Sequence, residues 1–197
     1  MVSRRILAVT AGLTLGMGIV TAEMVGVPNS NTQYPTPIQS TIAGKQYKML
    51  LTGTALRTKA IFSVYTVGSY VQEGTKPRSA EELAAADKPK QLHLVMERDV
   101  NGPDMADAFK KAIRANYPEP AFANELQLLT DKMKAFTVYK GDHVWITHVP
   151  GVGMHCNLVG KTDYWIKNVA FARAVWEIYL GKNNISEDIK RGLTTRL

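Results

Sequence analysis

The segment from Ile61 to Val71 (IFSVYTVGSYV) constrains the fold more than any other part of the chain. It is rich in β-branched and aromatic residues, which favour β-strands. Apolar residues occupy both of its alternating faces, so a strand formed here must be covered on both sides. Gly74 and Pro77 follow and end the run. We therefore predict a central strand over residues 61–71.

Other segments predict strands that pair with this one. Residues 45–54 are rich in Tyr, Leu and Thr, and Gly53 marks a turn or a bulge among them. Residues 91–97 alternate apolar and polar side chains. Residues 143–149 and 154–159 are separated by the turn Pro150-Gly-Val-Gly153, which predicts a β-hairpin.

The hydrophobic period changes to that of a helix in three regions. Asn101-Gly-Pro-Asp104 is a helix start, and the apolar stripes that follow predict two amphipathic helices on either side of Pro118 and Pro120. Residues 164–180 are apolar almost all round, which predicts a buried helix. Shorter helices are predicted over 79–87 and from Ser186 onward. The order of elements predicts an α+β fold, a long antiparallel β-sheet with helices packed on one face in an open-faced sandwich.

The N-terminus has the pattern of a secretory signal peptide. Arg4 and Arg5 precede an uncharged run, and Val20-Thr-Ala22 offers a cleavage site. We predict a signal peptide over residues 1–22, an extended Pro-containing leader over 23–40, and one domain over 41–197. The mature protein is then periplasmic or secreted. The alternative is an uncleaved N-terminal segment that anchors the domain to the membrane.

Composition excludes several classes of function. The net charge is +7, but its dense basic patch, Lys110, Lys111 and Arg114, falls on the polar side of a predicted helix, so no nucleic-acid partner is expected. Cys156 is the single cysteine, which rules out an internal disulfide and indicates a small buried apolar residue.

Histidine spacing does not complete a metal site. A four-residue turn over 150–153 would place His148 opposite His155, but zinc requires three or four ligands and no third stands at a suitable spacing. Motifs of nucleophilic or metal-dependent hydrolases are also missing from the sequence. We therefore expect no metal and no cofactor.

Arg57 is the residue that points most clearly to a site. It follows the uncharged run 50–56 and precedes the central strand, so its guanidinium must be paired or directed into a cavity. Thr66, Tyr70 and Tyr179 are polar groups in apolar surroundings. One interpretation is a structural arginine among core aromatic residues. The other is an anion or oxyanion site at the closed end of an apolar cleft.

Several motifs in this order resemble the chalcone isomerase family, in particular bacterial chalcone isomerase-like proteins, which usually carry a signal peptide. They are Gly53-Thr-Ala-Leu-Arg57, the strand containing Thr66-Val-Gly68-Ser-Tyr70, Lys140-Gly-Asp142, the turn 150–153, and Trp176-Glu-Ile-Tyr-Leu-Gly181 with residues 185–193 after it. The resemblance covers residue 41 to the C-terminus. It implies an antiparallel sheet with helices on one face and a ligand cleft between them.

The resemblance also bears on function. Catalytic members use an Arg and a Thr from the sheet, which Arg57 and Thr66 match, together with a Tyr and a Lys on the following helix, where this chain has Met105 and Ala108. Neither replacement can stabilise an enolate, and loss of such a donor commonly costs about 2.7–4 kcal/mol. Relatives that bind fatty acids hold the carboxylate with the equivalent arginine and a nearby tyrosine.

We therefore expect a non-catalytic protein that binds a small apolar, fatty-acid-like carboxylate. The expected ligand-binding residues are Arg57, Tyr65, Thr66, Tyr70, Met105 and Tyr179. The alternative is an intramolecular lyase or isomerase acting on a chalcone-like or other enone substrate, with Arg57 as electrophile and Thr66 or Tyr179 as proton donor. A third interpretation is a structural or partner-binding envelope protein.

Overall fold

A computed structural model describes residues 22–197, so the predicted signal peptide lies outside the described residues except for Ala22. The strands are β1 (Glu23–Gly26), β2 (Gln33–Thr36), β3 (Ile38–Ile42), β4 (Lys45–Lys59), β5 (Phe62–Gln72), β6 (Lys90–Met96), β7 (His143–Val149), β8 (Gly153–Leu158) and β9 (Thr162–Ile166). The helices are α1 (Ala80–Ala85), α2 (Gly102–Asn116), α3 (Ala123–Lys134), α4 (Val169–Leu180) and α5 (Glu187–Gly192). No helix within this range is both long enough and apolar enough to cross a bilayer.

Strands β3 to β9 form one seven-stranded antiparallel sheet in chain order, and β1 and β2 form a separate hairpin. Each strand therefore pairs with the strand that follows it in sequence. Helix α1 lies in the connection from β5 to β6, helices α2 and α3 lie in the connection from β6 to β7, and the other connections are short turns. The predicted α+β fold, a long antiparallel sheet with helices on one face, is confirmed.

The central strand β5 has two buried faces, as its sequence predicts. Val67 and Val71 point toward the helices and join the main hydrophobic core. Tyr70 points the other way, into a second cluster beneath the N-terminal hairpin. Gly68 also lies on this second face, where an added Cβ would come within 2.7 Å of the Tyr34 ring.

The core between sheet and helices is organised by α4. Its N-cap Asn168 accepts a hydrogen bond from the backbone N–H of Phe171, and its long apolar surface is buried as predicted. Trp176 and Tyr179 are both 0% exposed. Helices α1, α2 and α3 complete the layer through residues such as Leu83, Ile113 and Leu129.

Residues 23–40 differ from the expected extended leader. They form β1, β2 and the beginning of β3, and the Tyr34 side chain is completely buried against the sheet. Its hydroxyl hydrogen-bonds Thr66 Oγ1 at 2.9 Å. The Pro-containing composition predicted an extended leader, but Val27 and Tyr34 are buried in the second cluster with Met49, Leu51 and Tyr70, and this packing docks the hairpin on the sheet.

The predicted pairing in the β7–β8 hairpin is wrong by one residue. Val149 pairs with Gly153, so Thr147 lies opposite His155 and His148 opposite Met154. The two histidines therefore point to opposite faces. His148 hydrogen-bonds Asp87 at 2.8 Å on the helix side, and His155 hydrogen-bonds Asp163 at 2.5 Å on the other side.

The long helix predicted from Tyr164 begins later than expected. Residues 162–166 form strand β9, and α4 starts at Val169. Short runs rich in aromatic and apolar residues suit a strand or a helix, and here pairing of β9 with β8 decides in favour of the strand.

Candidate ligand-binding site

Arg57 lies near the end of β4, directly opposite Tyr65 on β5. Because paired residues in an antiparallel sheet share a face, both side chains project toward the helices. The Arg57 side chain is half-buried. Among residues 22–197 it forms no hydrogen bond and no ion pair, although each of its five N–H groups can donate one. The guanidinium is thus free to bind an anion.

Two tyrosine hydroxyls stand beside this guanidinium. Tyr65 on β5 and Tyr179 on α4 bring their hydroxyl oxygens to 3.4 Å from each other. Burial raises the pKa of both phenols, while the positive charge of Arg57 acts in the opposite direction on both. Both groups therefore remain protonated at neutral pH.

The arrangement of these three side chains has a definite hydrogen-bonding capacity. One hydroxyl donates to the other, so the pair keeps one O–H hydrogen for a further acceptor. The nearby guanidinium supplies several N–H donors with a full positive charge. A carboxylate has two oxygens that accept such bonds, and charge-assisted bonds to arginine are short and strong. The site is therefore suited to a carboxylate or a similar anion.

Apolar residues surround this polar group. Tyr65 packs with Met105, Phe136 and Val144 in one hydrophobic cluster. The same three residues line a cavity of about 50 Å³ between the sheet and helices α2 and α3. Met105, the residue predicted from the family pattern, thus lies in the cleft, whereas Ala108 is exposed on α2.

Thr66 and Tyr70 do not join the site, which corrects our prediction that they line the same cleft as Arg57. Both point to the face opposite the helices, because they alternate with Tyr65 along β5. Thr66 bonds Tyr34, and the Tyr70 hydroxyl donates to the carbonyl of Pro35 at 3.0 Å. The structure therefore brings together Arg57, Tyr65 and Tyr179, with Met105 in the adjoining cavity.

Cys156 and Tyr164 were not among the predicted site residues, yet both line the 50 Å³ cavity. They pair across β8 and β9 on the helix-facing side. Burial raises the pKa of the Cys156 thiol to about 12, so it is a protonated, weakly polar wall residue, as predicted. Tyr164 was missed because its segment was interpreted as part of a helix. The alternation of polar and apolar residues over 162–166 is typical of a strand and would have placed Tyr164 on the apolar face.

Comparisons with known proteins agree with this architecture. A protein-family model described as chalcone isomerase-like matches residues 31–194. The chain is similar to the crystal structure of a fatty-acid binding protein from Arabidopsis thaliana. The TM-score is 0.68 and the identity is 17%, over 87% of this chain and 96% of the other. At that identity the likeness shows the fold. No curated protein sequence matches the chain.

Proposed function

We propose that this chain, which belongs to the chalcone isomerase-like family, binds a small apolar carboxylate such as a fatty acid and does not catalyse a reaction on it. The single observation that carries this proposal is the half-buried Arg57 guanidinium, which has no partner among the described residues and lies beside the hydroxyls of Tyr65 and Tyr179. The fatty-acid binding function of the structural neighbour supports it.

The carboxylate would bind at Arg57, Tyr65 and Tyr179. These residues do not line the 50 Å³ cavity but connect to its walls through the packing of Tyr65 with Met105, Phe136 and Val144. Arg57 supplies the charge, and the spare hydrogen of the Tyr65–Tyr179 pair supplies a neutral donor. A hydrogen bond to a charged group contributes about 1.5–3 kcal/mol, so these contacts orient the head of the ligand. The buried tyrosine side of the site has a lower local dielectric than water, which strengthens the interaction.

The alkyl chain would extend into the space between the sheet and helices α2 and α3. The cavity there is about 50 Å³, and one ordered water needs roughly 10–15 Å³, so it holds a few water-sized groups. A longer chain must displace wall residues. Met105 and Met133 line the cavity, and methionine side chains re-pack at low cost. Each buried CH₂ then contributes about 0.8 kcal/mol of affinity.

The site lacks the groups that would favour catalysis of enone cyclisation. The two helix positions matched to the catalytic Tyr and Lys carry Met105, a thioether, and Ala108, which points to solvent. Thr66 lies on the other face of the sheet, bonded to Tyr34, and cannot reach a ligand held by Arg57. These placements favour binding over turnover.

Calorimetric titration of the full chain, stripped of lipid, with dodecanoate and with dodecanol tests the proposal. We expect Arg57→Gln to weaken dodecanoate binding at least tenfold and to leave dodecanol binding unchanged, because only the acid carries the charge that Arg57 binds. Arg98→Gln is the matched control, an exposed arginine that lies over the Phe62 ring. Equal dodecanoate affinity in Arg57→Gln and in the unaltered protein would exclude the proposal.

We also propose that the protein acts outside the cytoplasm, in the periplasm or after secretion. The support is in the sequence: the charged start, the uncharged run and the Val20–Ala22 cleavage pattern. N-terminal sequencing of the protein recovered from a periplasmic fraction tests this. A new N-terminus at Glu23 is expected, and full-length protein confined to the cytoplasm would contradict it.

A further inference from the structure

A second site lies on the face of the sheet opposite the helices. It is an open groove of about 550 Å³. Its floor is formed by β6, β7, β8 and β9, and β3 with the turn that follows it forms one wall. Arg57, Tyr65 and Tyr179 take no part in it, since they point to the helix side of the same sheet.

Two tryptophans form flat apolar surfaces in this groove. Trp145 stacks on His93 with ring centroids 3.8 Å apart and an angle of 8°. Trp165 stacks on His155 at 4.6 Å and 27°. Each histidine supports one indole ring and fixes its orientation. Trp165 remains 38% exposed, on the last strand of the sheet.

The floor of the groove contains a polar group without a partner. Gln91 is only 6% exposed, and its Oε1 has no hydrogen-bond partner among the described residues. Its other amide atom, Nε2, donates to Thr147 Oγ1 at 3.0 Å. A buried polar atom left unpaired costs about 1–3 kcal/mol. Less than 1 Å² of Oε1 is accessible, so a ligand hydroxyl bonds it when the Gln91 side chain turns toward the groove, which would remove that cost.

Among residues 22–197, no side chain with a fixed formal charge lines the groove, although the chain as a whole has a net charge of +7. The residues that line it are apolar, aromatic, amide, hydroxyl or histidine. Burial lowers the pKa of His93 to about 3, so this ring is neutral at physiological pH. The Asp163 carboxylate lies behind this lining, and both of its oxygens are hydrogen-bonded, to His155 and Asn157. The lining therefore favours a neutral ligand over a charged one.

We infer that this groove binds a neutral oligosaccharide. Sugar rings combine an apolar C–H face, which packs on an indole ring, with hydroxyls at the edge, which bond amides and hydroxyls such as those of Gln91, Thr147 and Asn157. Trp145 and Trp165 lie two strands apart and two residues out of register, so their Cα atoms are roughly 12 Å apart at the usual strand spacings. That separation is longer than one sugar unit, so it suits the first and third rings of an extended trisaccharide. The site is independent of the carboxylate site.

Titration of the full chain with maltotriose, cellotriose and chitotriose, followed by tryptophan fluorescence and calorimetry, tests this inference. At least one trisaccharide is expected to bind and to change the tryptophan emission. Trp165→Ala and Gln91→Met should each weaken that binding at least tenfold. Trp165 lies on an exposed edge strand, so its replacement is compatible with folding, which circular dichroism would verify.

Two control variants separate this site from others. Tyr139→Ala removes a half-exposed aromatic residue remote from the groove, and Arg57→Gln alters the carboxylate site; both should bind the trisaccharide as the unaltered protein does. Absence of binding by all three sugars at millimolar concentration would overturn the inference. Sugar binding that is unchanged in Trp165→Ala would also overturn it. If 2-naphthol binds at the groove and none of the three sugars does, the groove binds a planar aromatic ligand and the inference is wrong.

Discussion

Lys90 and Arg57 differ in whether their charged groups have hydrogen-bond acceptors within the fold. Lys90 is completely buried, and its ammonium donates hydrogen bonds to the carbonyls of Leu83, Ala84 and Ala86 at 3.0, 2.6 and 2.7 Å. Those carbonyls belong to the C-terminal end of α1, where a positive charge is favourable. Arg57, by contrast, has no acceptor among the described residues. The buried Lys90 ammonium is thus satisfied by three carbonyls, whereas the Arg57 guanidinium is left for a ligand.

Replacement of Lys90 tests its structural role. Lys90→Met keeps the length of the side chain but leaves three carbonyls without a donor, so we expect a loss of about 1–3 kcal/mol in the free energy of unfolding. Urea denaturation measures it. Lys88→Met, at an exposed position two residues earlier, should change stability by less than about 0.5 kcal/mol. Equal stability of the two variants would show that the three bonds contribute nothing.

The tyrosine pair provides a second test at single residues. Tyr65→Phe and Tyr179→Phe each remove one hydroxyl from the pair, and we expect dodecanoate affinity to fall about three- to tenfold, the worth of one neutral hydrogen bond. Tyr70→Phe is the matched control, because its hydroxyl lies on the opposite face. If Tyr70→Phe weakened binding as much as Tyr65→Phe, the assignment of the site to the helix side would be wrong.

The packing of α5 on β4 depends on a glycine. Gly53 has φ +156°, and β4 is bulged between Leu51 and Gly53, as the sequence predicted. A Cβ at this position would lie 2.1 Å from the carbonyl oxygen of Gly192, at the end of α5. Backbone atoms cannot yield as a flexible side chain can, so the contact fixes how closely the C-terminal helix approaches the sheet.

Gly53→Ala should therefore destabilise the protein by more than about 3 kcal/mol, since the added methyl group forces two backbone segments apart. Thermal unfolding measures this loss. Gly44→Ala is the control: its φ is +78°, also unfavourable for alanine, but an added Cβ would meet no atom within 4 Å. It should cost about 1–2 kcal/mol. Equal losses would show that the α5 contact is not limiting.

Sequence periodicity predicted most elements correctly and their mutual register poorly. Ser79, Asn101 and Ser186 were identified as helix starts, and each accepts a hydrogen bond from a backbone N–H in the first turn. Capping is local, so it can be read from a few residues. Pairing of His155 with Thr147 depends on a turn one residue shorter than expected. Alternation along β5 already places Thr66 and Tyr70 on the face opposite Tyr65, but which face packs against the helices depends on distant residues such as Tyr34 and Pro35. Such long-range contacts leave no local signal.

At the scale of the whole molecule, the two faces of one sheet each carry a proposed ligand site. The helix side holds Arg57, Tyr65 and Tyr179, and the other side holds the groove with Trp145 and Trp165. Residues on opposite faces of a strand are neighbours in sequence but do not touch. Substitutions at one site should therefore leave binding at the other unchanged. Arg57 was predicted from the sequence because it is a single cation next to an uncharged run. The groove was not predicted, because its lining residues come from seven strands that are distant in sequence.

Buried histidines should make the whole protein sensitive to acid. Burial lowers the pKa of His93 to about 3 and also lowers the pKa of His148, which Asp87 partly opposes. A histidine in the unfolded chain has a pKa of about 6.5, so below that pH the unfolded chain binds protons that the folded chain does not. The free energy of unfolding is therefore unaffected by these histidines above pH 6.5. Below pH 6.5 it falls by up to about 1.4 kcal/mol per pH unit for each histidine.

Urea unfolding at pH 7 and pH 5 measures this loss. In His93→Gln the difference between the two pH values should shrink by about 1–2 kcal/mol, because one of the two groups no longer titrates. An unchanged difference would mean that His93 is protonated in the folded protein at pH 5.

The charge state of a bound carboxylate reports directly on Arg57. Dodecanoic acid labelled with ¹³C at its carboxyl carbon gives an NMR signal that shifts when the bound acid is protonated. The positive charge of Arg57 should lower the pKa of the bound carboxyl group below about 4.3, the ordinary value for a carboxyl group. In Arg57→Gln its pKa should rise above that value through burial. If the bound carboxyl group titrates at the same pH in both proteins, Arg57 does not hold it, and the proposed function is wrong.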